Sequence, residues 1–257
     1  MFERQSLIAL QSILVKEITR YFRIWIQTLL PPAITMSLYF VIFGQLIGAR
    51  VGEMSGVSYI EYITPGIIMM SVITNSYSNV VSSFFSAKFQ RSIEEMLVSP
   101  VPTLYILLGY VLGGVTRGIL TGIIVTLVAA QFVEINIHHW GVLIFVVLMT
   151  SMLFATGGLV NAIFAKKFDD ISIVPTFILT PLTYLGGVFY SISLLPDFWY
   201  KLSMFNPVLY MVNAFRYGFL GFSDINITHA LILISAFIIS LFSLAYYLLK
   251  KGIGIRA

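Results

Sequence analysis

"TLYILLGYVLGGVTRGILTGIIVTLVAAQF", residues 103–132, runs for thirty residues with a single charged side chain, Arg117. A helix needs ~20 largely apolar residues to cross ~30 Å of hydrocarbon. This stretch is long enough and apolar enough to do so. Five others qualify by the same measure: 27–47, 62–86, 141–164, 171–190 and 229–249. The rest of the composition agrees. Of 257 residues, 58% are hydrophobic and only 10% charged, and the mean hydropathy is +0.94. Such a chain must turn most of its surface to lipid. No stretch between the spans could fold as a soluble domain. The expected fold is all-α: one polytopic membrane domain over residues 1–257 with six transmembrane helices.

Cysteine is absent, which excludes a disulfide framework and a thiolate metal site. No short apolar region with a small-residue cleavage site opens the chain, so no cleaved signal peptide is read. Lysine and arginine set the orientation. With the N-terminus inside, the cytoplasmic set is Arg4, Lys16, Arg20, Arg23, Lys88, Arg91, Lys166, Lys167, Lys250, Lys251 and Arg256. The outer set is Arg50, Lys201 and Arg216. Eleven against three places both termini in the cytoplasm.

Three segments outside the spans carry their own pattern. In residues 1–26, Leu7, Leu10, Leu14, Ile18, Tyr21 and Trp25 recur at helical spacing, opposite Gln11, Lys16, Glu17, Arg20 and Arg23. A basic amphipathic helix of this kind is expected in the membrane interface, either as an anchor or as a docking element. Residues 89–99 repeat the pattern on the cytosolic side. Phe89, Ile93, Met96 and Leu97 form an apolar face, and Gln90, Arg91, Glu94 and Glu95 a polar one. Pro100 and Pro102 end this helix of about three turns. Residues 191–228 hold two helix starts, Asp197 after Pro196 and Asn206 before Pro207, with Gly221 as a stop. The piece 207–220 rises ~21 Å, too short to cross. With its many aromatic residues, 191–228 is expected to be a re-entrant hairpin in the outer leaflet, with Arg216 reaching headgroups, Asp197 or Asp224.

The chemistry is sparse. No G-x-x-x-x-G-K-[ST] and no H-E-x-x-H occurs, and His138, His139 and His229 fall in or beside short outer connections. No catalytic, cofactor-binding or metal-ligating set is expected. Apart from Arg117, and His229 at the first position of the sixth, the assigned spans hold no charged residue or histidine, which argues against a proton- or ion-coupled carrier. Arg117 itself must face protein or a wet cavity, contacting substrate or backbone carbonyls. Two polar stripes stand out. Asn75, Asn79, Ser82 and Ser86 share one face of the second span, and Thr176, Thr180, Thr183 and Tyr184 one face of the fifth. They read as a transport path or as glue between helices.

"SIEEMLVSPVP" (92–102) with "LGYVLGGVTRG" (108–118) resembles the coupling region and third span of type-2 ABC exporter permeases. "PLTYLGGVFYSISLLPDFWYKLSMFNPVLYMVNAFRYGFLG" (181–221) is similar to that family's most specific motif. The resemblance covers essentially the whole chain and implies the following roles. Residues 89–99, with Phe89, Arg91, Ile93, Glu94, Glu95 and Leu97, dock on an ATP-binding subunit. Asn75, Asn79, Ser82, Thr176, Thr180, Thr183 and Tyr184 line the path. Gly186, Gly187, Phe189, Tyr190, Asn206, Pro207 and Arg216 belong to an outer gate. Two permease copies pair with two separate ATP-binding subunits, which hold the ATP and magnesium. The bilayer is the remaining partner, and no nucleic acid is involved. The location is the bacterial inner membrane, and the cargo an amphipathic, lipid-linked or polysaccharide-type molecule. A motor-independent lipid scramblase or membrane scaffold is the alternative.

Overall fold

The computed structural model describes residues 2–255, so Arg256 of the basic set lies outside the described residues, as do the side chains of residues 2–4, including Arg4. Among the described residues the chain is helical apart from short turns and a small hairpin, β1 (Glu53–Met54) with β2 (Val57–Ser58). The helices are α1 (Phe2–Arg23), α2 (Trp25–Val51), α3 (Tyr59–Phe89), α4 (Ser92–Val98), α5 (Thr103–Ala129), α6 (Trp140–Phe164), α7 (170–184), α8 (Asp197–Ser203), α9 (Pro207–Leu220) and α10 (Ile227–Lys251). Four of them, α2, α5, α6 and α10, are long and apolar enough to cross a membrane.

The centre of the bundle is α3, 31 residues packed against α5, α6 and α9. Glycines on α5 explain how closely it is held. Gly114, Gly118 and Gly122 face α3 and α6, where an added Cβ would lie 2.5 Å from Val80, 1.9 Å from the Ser76 hydroxyl and 2.8 Å from Val72. Small residues let helix backbones approach where lipid supplies no hydrophobic drive. Gly109 and Gly113, on another face of α5, meet Ile13 and Glu17 of α1 in the same way.

Those contacts correct the expectation for residues 1–26. Matching steps of four on both helices lay α1 alongside α5, and Glu17 turns inward with Arg20 part-buried beside it, while Gln11, Lys16 and Arg23 stay exposed. Glu17 is fully buried and Tyr21 nearly so, while Leu7, Ile8 and Val15 are exposed. The periodicity identified a two-sided helix, but the side bearing Glu17 and Arg20 is the one that meets protein.

The expected fifth span, 171–190, is not one helix. α7 covers 170–184 and contains a π turn at Pro175–Leu179. Fifteen residues rise ~22 Å, short of the hydrocarbon thickness. Pro181 removes an N–H inside α7, and the chain turns at Gly187, where φ is +70°. The aromatic residues of 191–228 divide between surface and core. α8 exposes Phe198, Trp199 and Tyr200, and Phe205 follows, also exposed, but Phe215 and Phe219 of α9 are buried. Helix α9 is a core element against α3, α6 and α10.

Candidate functional site

Between α2, α3 and α7 lies a concavity of about 350 Å³ lined by Tyr39, Met70, Thr74, Tyr77, Ser78, Pro175, Thr176, Leu179, Thr180, Thr183 and Tyr184. The threonine stripe of α7 therefore does face α3, but it faces Met70, Thr74 and Ser78. Asn75 and Asn79 lie on the other side of α3, buried. Aromatic rings close one end. Phe189 packs on Phe43, Tyr39 and Tyr184 at ring-centroid distances of 4.6, 5.7 and 5.9 Å. The hydroxyls of Tyr39 and Tyr184 meet at 3.3 Å. No charged residue lines the concavity.

The polar groups of the opposite face of α3 are spent within the protein. Glu17 accepts hydrogen bonds from the Ser83 hydroxyl, from Asn79 Nδ2 at 3.3 Å and from Arg20 at 3.2 Å. Arg20 also donates to the Asn79 carbonyl and Oδ1, both at 2.9 Å, and to the Ser82 hydroxyl at 3.5 Å. A buried carboxylate survives only when its lone pairs are met by donors and a countercharge, and this one has both. Arg117, 8% exposed, donates to Asn75 Oδ1 at 3.1 Å and to the Thr28 carbonyl at 3.2 Å. Of the two readings for Arg117, the geometry supplies the carbonyl contact.

At the aromatic end of the bundle Arg216 is wholly buried. Its guanidinium donates to the Gly187 carbonyl at 2.6 Å, to Asn213 Oδ1 at 3.3 Å and to the Tyr62 carbonyl at 3.4 Å, and sits 4.0 Å from the centroid of the Tyr62 ring. Its ion pair is with Asp224, at 3.8 Å, rather than with Asp197 or a headgroup. Asp224 in turn accepts from Tyr62 and Ser191, each at 2.9 Å. Asn206 caps α9 through Val208 N–H at 2.9 Å and donates to the Leu182 carbonyl at 2.6 Å, where α7 ends. Gly186 leaves room for Val208, whose Cγ1 would lie 2.8 Å from an added Cβ. Pro207 opens α9, and Tyr190 is part-buried against the core. These residues thus clamp the turn after α7 onto α3 and α9.

At the other, basic end, Arg91 adopts a left-handed φ of +60° and reverses the chain from α3 into α4. α4 is seven residues, about two turns rather than three, and stops at Val98 before Pro100. Ile93 is fully buried and anchors it, with Leu97 half-buried; Glu94, Glu95 and Val98 are exposed. Phe89 does not join that apolar face. It ends α3, exposed, with its ring 5.1 Å from Phe168. Lys88 donates to the carbonyls of Ile163 and Ala165 (2.8 Å to the latter), placing a cation at the C-terminal end of α6. The exposed Asp170 accepts the backbone N–H groups of Lys166 and Lys167 at 2.8 and 3.0 Å, which hold its carboxyl below the usual range.

Sequence reasoning did not single out Tyr39, Thr74, Ser78 or Lys88 as site residues. For Thr74 and Ser78 a signal existed: the two lie four residues apart, a second pair of small polar residues on one face of α3.

Comparison with known proteins supplies the family. The chain is 56% identical over 250 residues to the inner membrane transport permease YadH of Escherichia coli (strain K12), covering 97% of this chain and 98% of that protein. It is 25% identical over 218 residues to Nodulation protein J of Rhizobium leguminosarum bv. viciae, 83% of each chain. It is 23% identical over 188 residues to Nodulation protein J of Rhizobium meliloti (strain 1021), 72% of this chain and 71% of that one. The profile of the ABC-2 type transporter family matches residues 8–220, so this chain belongs to the ABC-2 type transporter family.

Proposed function

We propose that this chain is the membrane-spanning permease subunit of an ATP-driven exporter in the bacterial inner membrane. It crosses the bilayer six times with both termini in the cytoplasm; α7 is the broken fifth crossing and residues 191–228 a re-entrant outer hairpin. Two copies pair, and two ATP-binding subunits supply hydrolysis, holding the ATP and magnesium; this chain binds no cofactor of its own. The cargo is amphipathic, lipid-linked or polysaccharide-type, passing along the concavity between α2, α3 and α7. The inner membrane location and the permease role draw on the likeness to the YadH protein.

One observation carries the coupling role. α4 follows α3 after a two-residue reversal, fixed by the buried Ile93, and exposes Glu94, Glu95 and Val98. A push on α4 is thus delivered to the most buried helix of the bundle, one wall of the concavity. The test is affinity purification from native membranes, followed by reconstitution with the ATPase that accompanies the chain. ATP-dependent movement of cargo in that sample is expected. A chain that retains no ATPase, or that moves lipid equally without ATP, would make the scramblase reading the better one.

A further inference from the structure

Two walls of the concavity, α3 and α7, meet again at the basic end of the bundle, through aromatic rings. Phe168 lies in the turn just before α7. Its ring meets the buried Phe85 edge-on, at a centroid distance of 4.9 Å and 84° between planes. It also lies 5.1 Å from the ring of Phe89, one turn further along α3. Phe89 is the last residue of α3 before the reversal into α4. The same turn of α3 holds the end of α6, because Lys88 donates to the carbonyls of Ile163 and Ala165. Asp170 accepts the N–H groups of Lys166 and Lys167 and so closes a tight loop around Phe168. Phe168 therefore moves with the first turn of α7 while its ring rests on the last turns of α3.

The far end of α7 is fixed, by Asn206 on the Leu182 carbonyl and Arg216 on the Gly187 carbonyl. Between the two ends lies the π turn at Pro175–Leu179, with Thr176 on the concavity. Asn161 of α6 donates to the Ile171 carbonyl at 3.3 Å, whose regular helical donor would be residue 175, a proline without an N–H. The ladder is thus interrupted below the π turn, and a displacement at the start of α7 is absorbed there.

We propose that Phe168 is a positioning residue for transport. It carries the displacement of the end of α3 to α7, so that both walls of the concavity move on one push at α4. The proposal rests on the permease reading above. An edge-on ring pair is directional, because the positive edge of one ring sits against the negative face of the other. Phe89 and Phe168 are both exposed, so their contact lies outside the packed core and can shift without unfolding it.

The test uses the complex with the ATPase that accompanies the chain, in nanodiscs, with single cysteines as reporters in a chain that has none. Thr74→Cys reports on α3 and Thr176→Cys on α7. Each is labelled with N-ethylmaleimide, with and without ATP and vanadate. With Phe168 in place, ATP and vanadate should change the labelling rate at both positions. In Phe168→Ala the response at position 74 should remain, and that at position 176 should shrink about tenfold, as expected from the loss of two ring pairs. Phe168→Tyr keeps the ring and should restore it. The melting temperature and the ATPase retained should match the parent, since Phe168 is exposed. Unchanged responses at both positions overturn the proposal, because the ring then only anchors the turn in the interface. Loss of both responses, or loss of the ATPase, in Phe168→Ala overturns it too, because the ring would then be a docking contact. A parent complex that responds at neither cysteine fails the permease reading, and this proposal with it.

Discussion

Arg117 donates to the backbone carbonyl of Thr28 at 3.2 Å, and that carbonyl is one the sequence leaves without a helical partner. In a regular helix the Thr28 carbonyl accepts from the N–H four residues on, which is Pro32 and has none. A guanidinium from α5 replaces the missing donor and ties the bend between α1 and α2 to the bundle. The Thr28 hydroxyl donates to the Tyr21 carbonyl at 2.7 Å, holding the same bend from the other side.

Arg117→Met should therefore cost stability, because it strips donors from two buried acceptors, Thr28 O and Asn75 Oδ1. The expected loss is about 1–3 kcal/mol, seen as a lower melting temperature of the purified chain in detergent. Arg117→Lys should recover only part, since an ammonium cannot fork between the two sites. If Arg117→Met melts like the parent but binds cargo less well, the arginine is a substrate contact instead.

Adjacent glycines on α6 should behave in opposite ways. An added Cβ at Gly158 would lie 2.5 Å from the Tyr77 carbonyl and 3.2 Å from Val81 N, backbone atoms that cannot swing aside. At Gly157 the nearest atom is Leu241 Cδ2 at 3.7 Å, an ordinary contact. Gly158→Ala must push α3 from α6, costing about 1–3 kcal/mol or more. Gly157→Ala should be neutral or stabilising by up to ~1 kcal/mol through helix propensity. Thermal melts of the two variants, side by side, decide it.

Much of the fold could be read from the chain because run length and helix caps are local features of sequence. Apolar run length placed α2, α3, α5, α6 and α10, and Asn206–Pro207 with Gly221 placed both ends of α9. What could not be read is which face of a helix meets which neighbour. Helix α3 carries two polar stripes at helical spacing, Asn75–Asn79–Ser82 and Thr74–Ser78, and periodicity alone does not rank them. Glu17 and Arg20 looked solvated for the same reason. Their partner Asn79 is sixty-two residues away from Glu17 and lies on a different helix. The break of α7 had a signal in Pro175, Pro181 and Gly186–Gly187, but its position depends on the clamp that Arg216 places on Gly187.

Glu94→Lys with Glu95→Lys should weaken retention of the ATPase. Both carboxylates are exposed on α4 while Ile93 alone is fully buried, so the change alters a surface and not the packing. Charge complementarity at an interface sets partner choice, and reversing two charges there opposes docking. The measurement is the ATPase-to-permease ratio after affinity purification, expected to fall about tenfold or more. A variant that keeps its ATPase and exports normally excludes α4 from coupling.

Orientation can be tested with single cysteines in a chain that has none of its own. Glu53→Cys, at the exposed β1–β2 hairpin, should react with an impermeant maleimide added to intact cells stripped of their outer membrane. Lys167→Cys, exposed in the turn between α6 and α7, should react only after lysis. The reverse pattern would invert the topology.

The two faces of α3 give the sharpest separation of packing from transport. Asn79 is fully buried and bonded to Glu17 and Arg20. Asn79→Leu would leave a buried carboxylate short of a donor and should lower the melting temperature, with export falling only as folded protein is lost. Thr74 and Thr180 look into the concavity and donate only to their own helices. Interhelical hydrogen bonds in membranes average about 0.6 kcal/mol, and these threonines make none in this chain, so Thr74→Val with Thr180→Val should leave the melt within about 0.5 kcal/mol of the parent. Cargo crossing that face would lose two acceptors where an unpaired donor is costly. Export per folded, ATPase-bound complex should therefore drop several-fold, and Thr74→Ser with Thr180→Ser should restore it. Export and melting temperature taken from the same reconstituted preparation separate the cases. If the valine pair exports normally while Asn79→Leu loses export without losing stability, the path runs along the Asn75–Asn79 face after all.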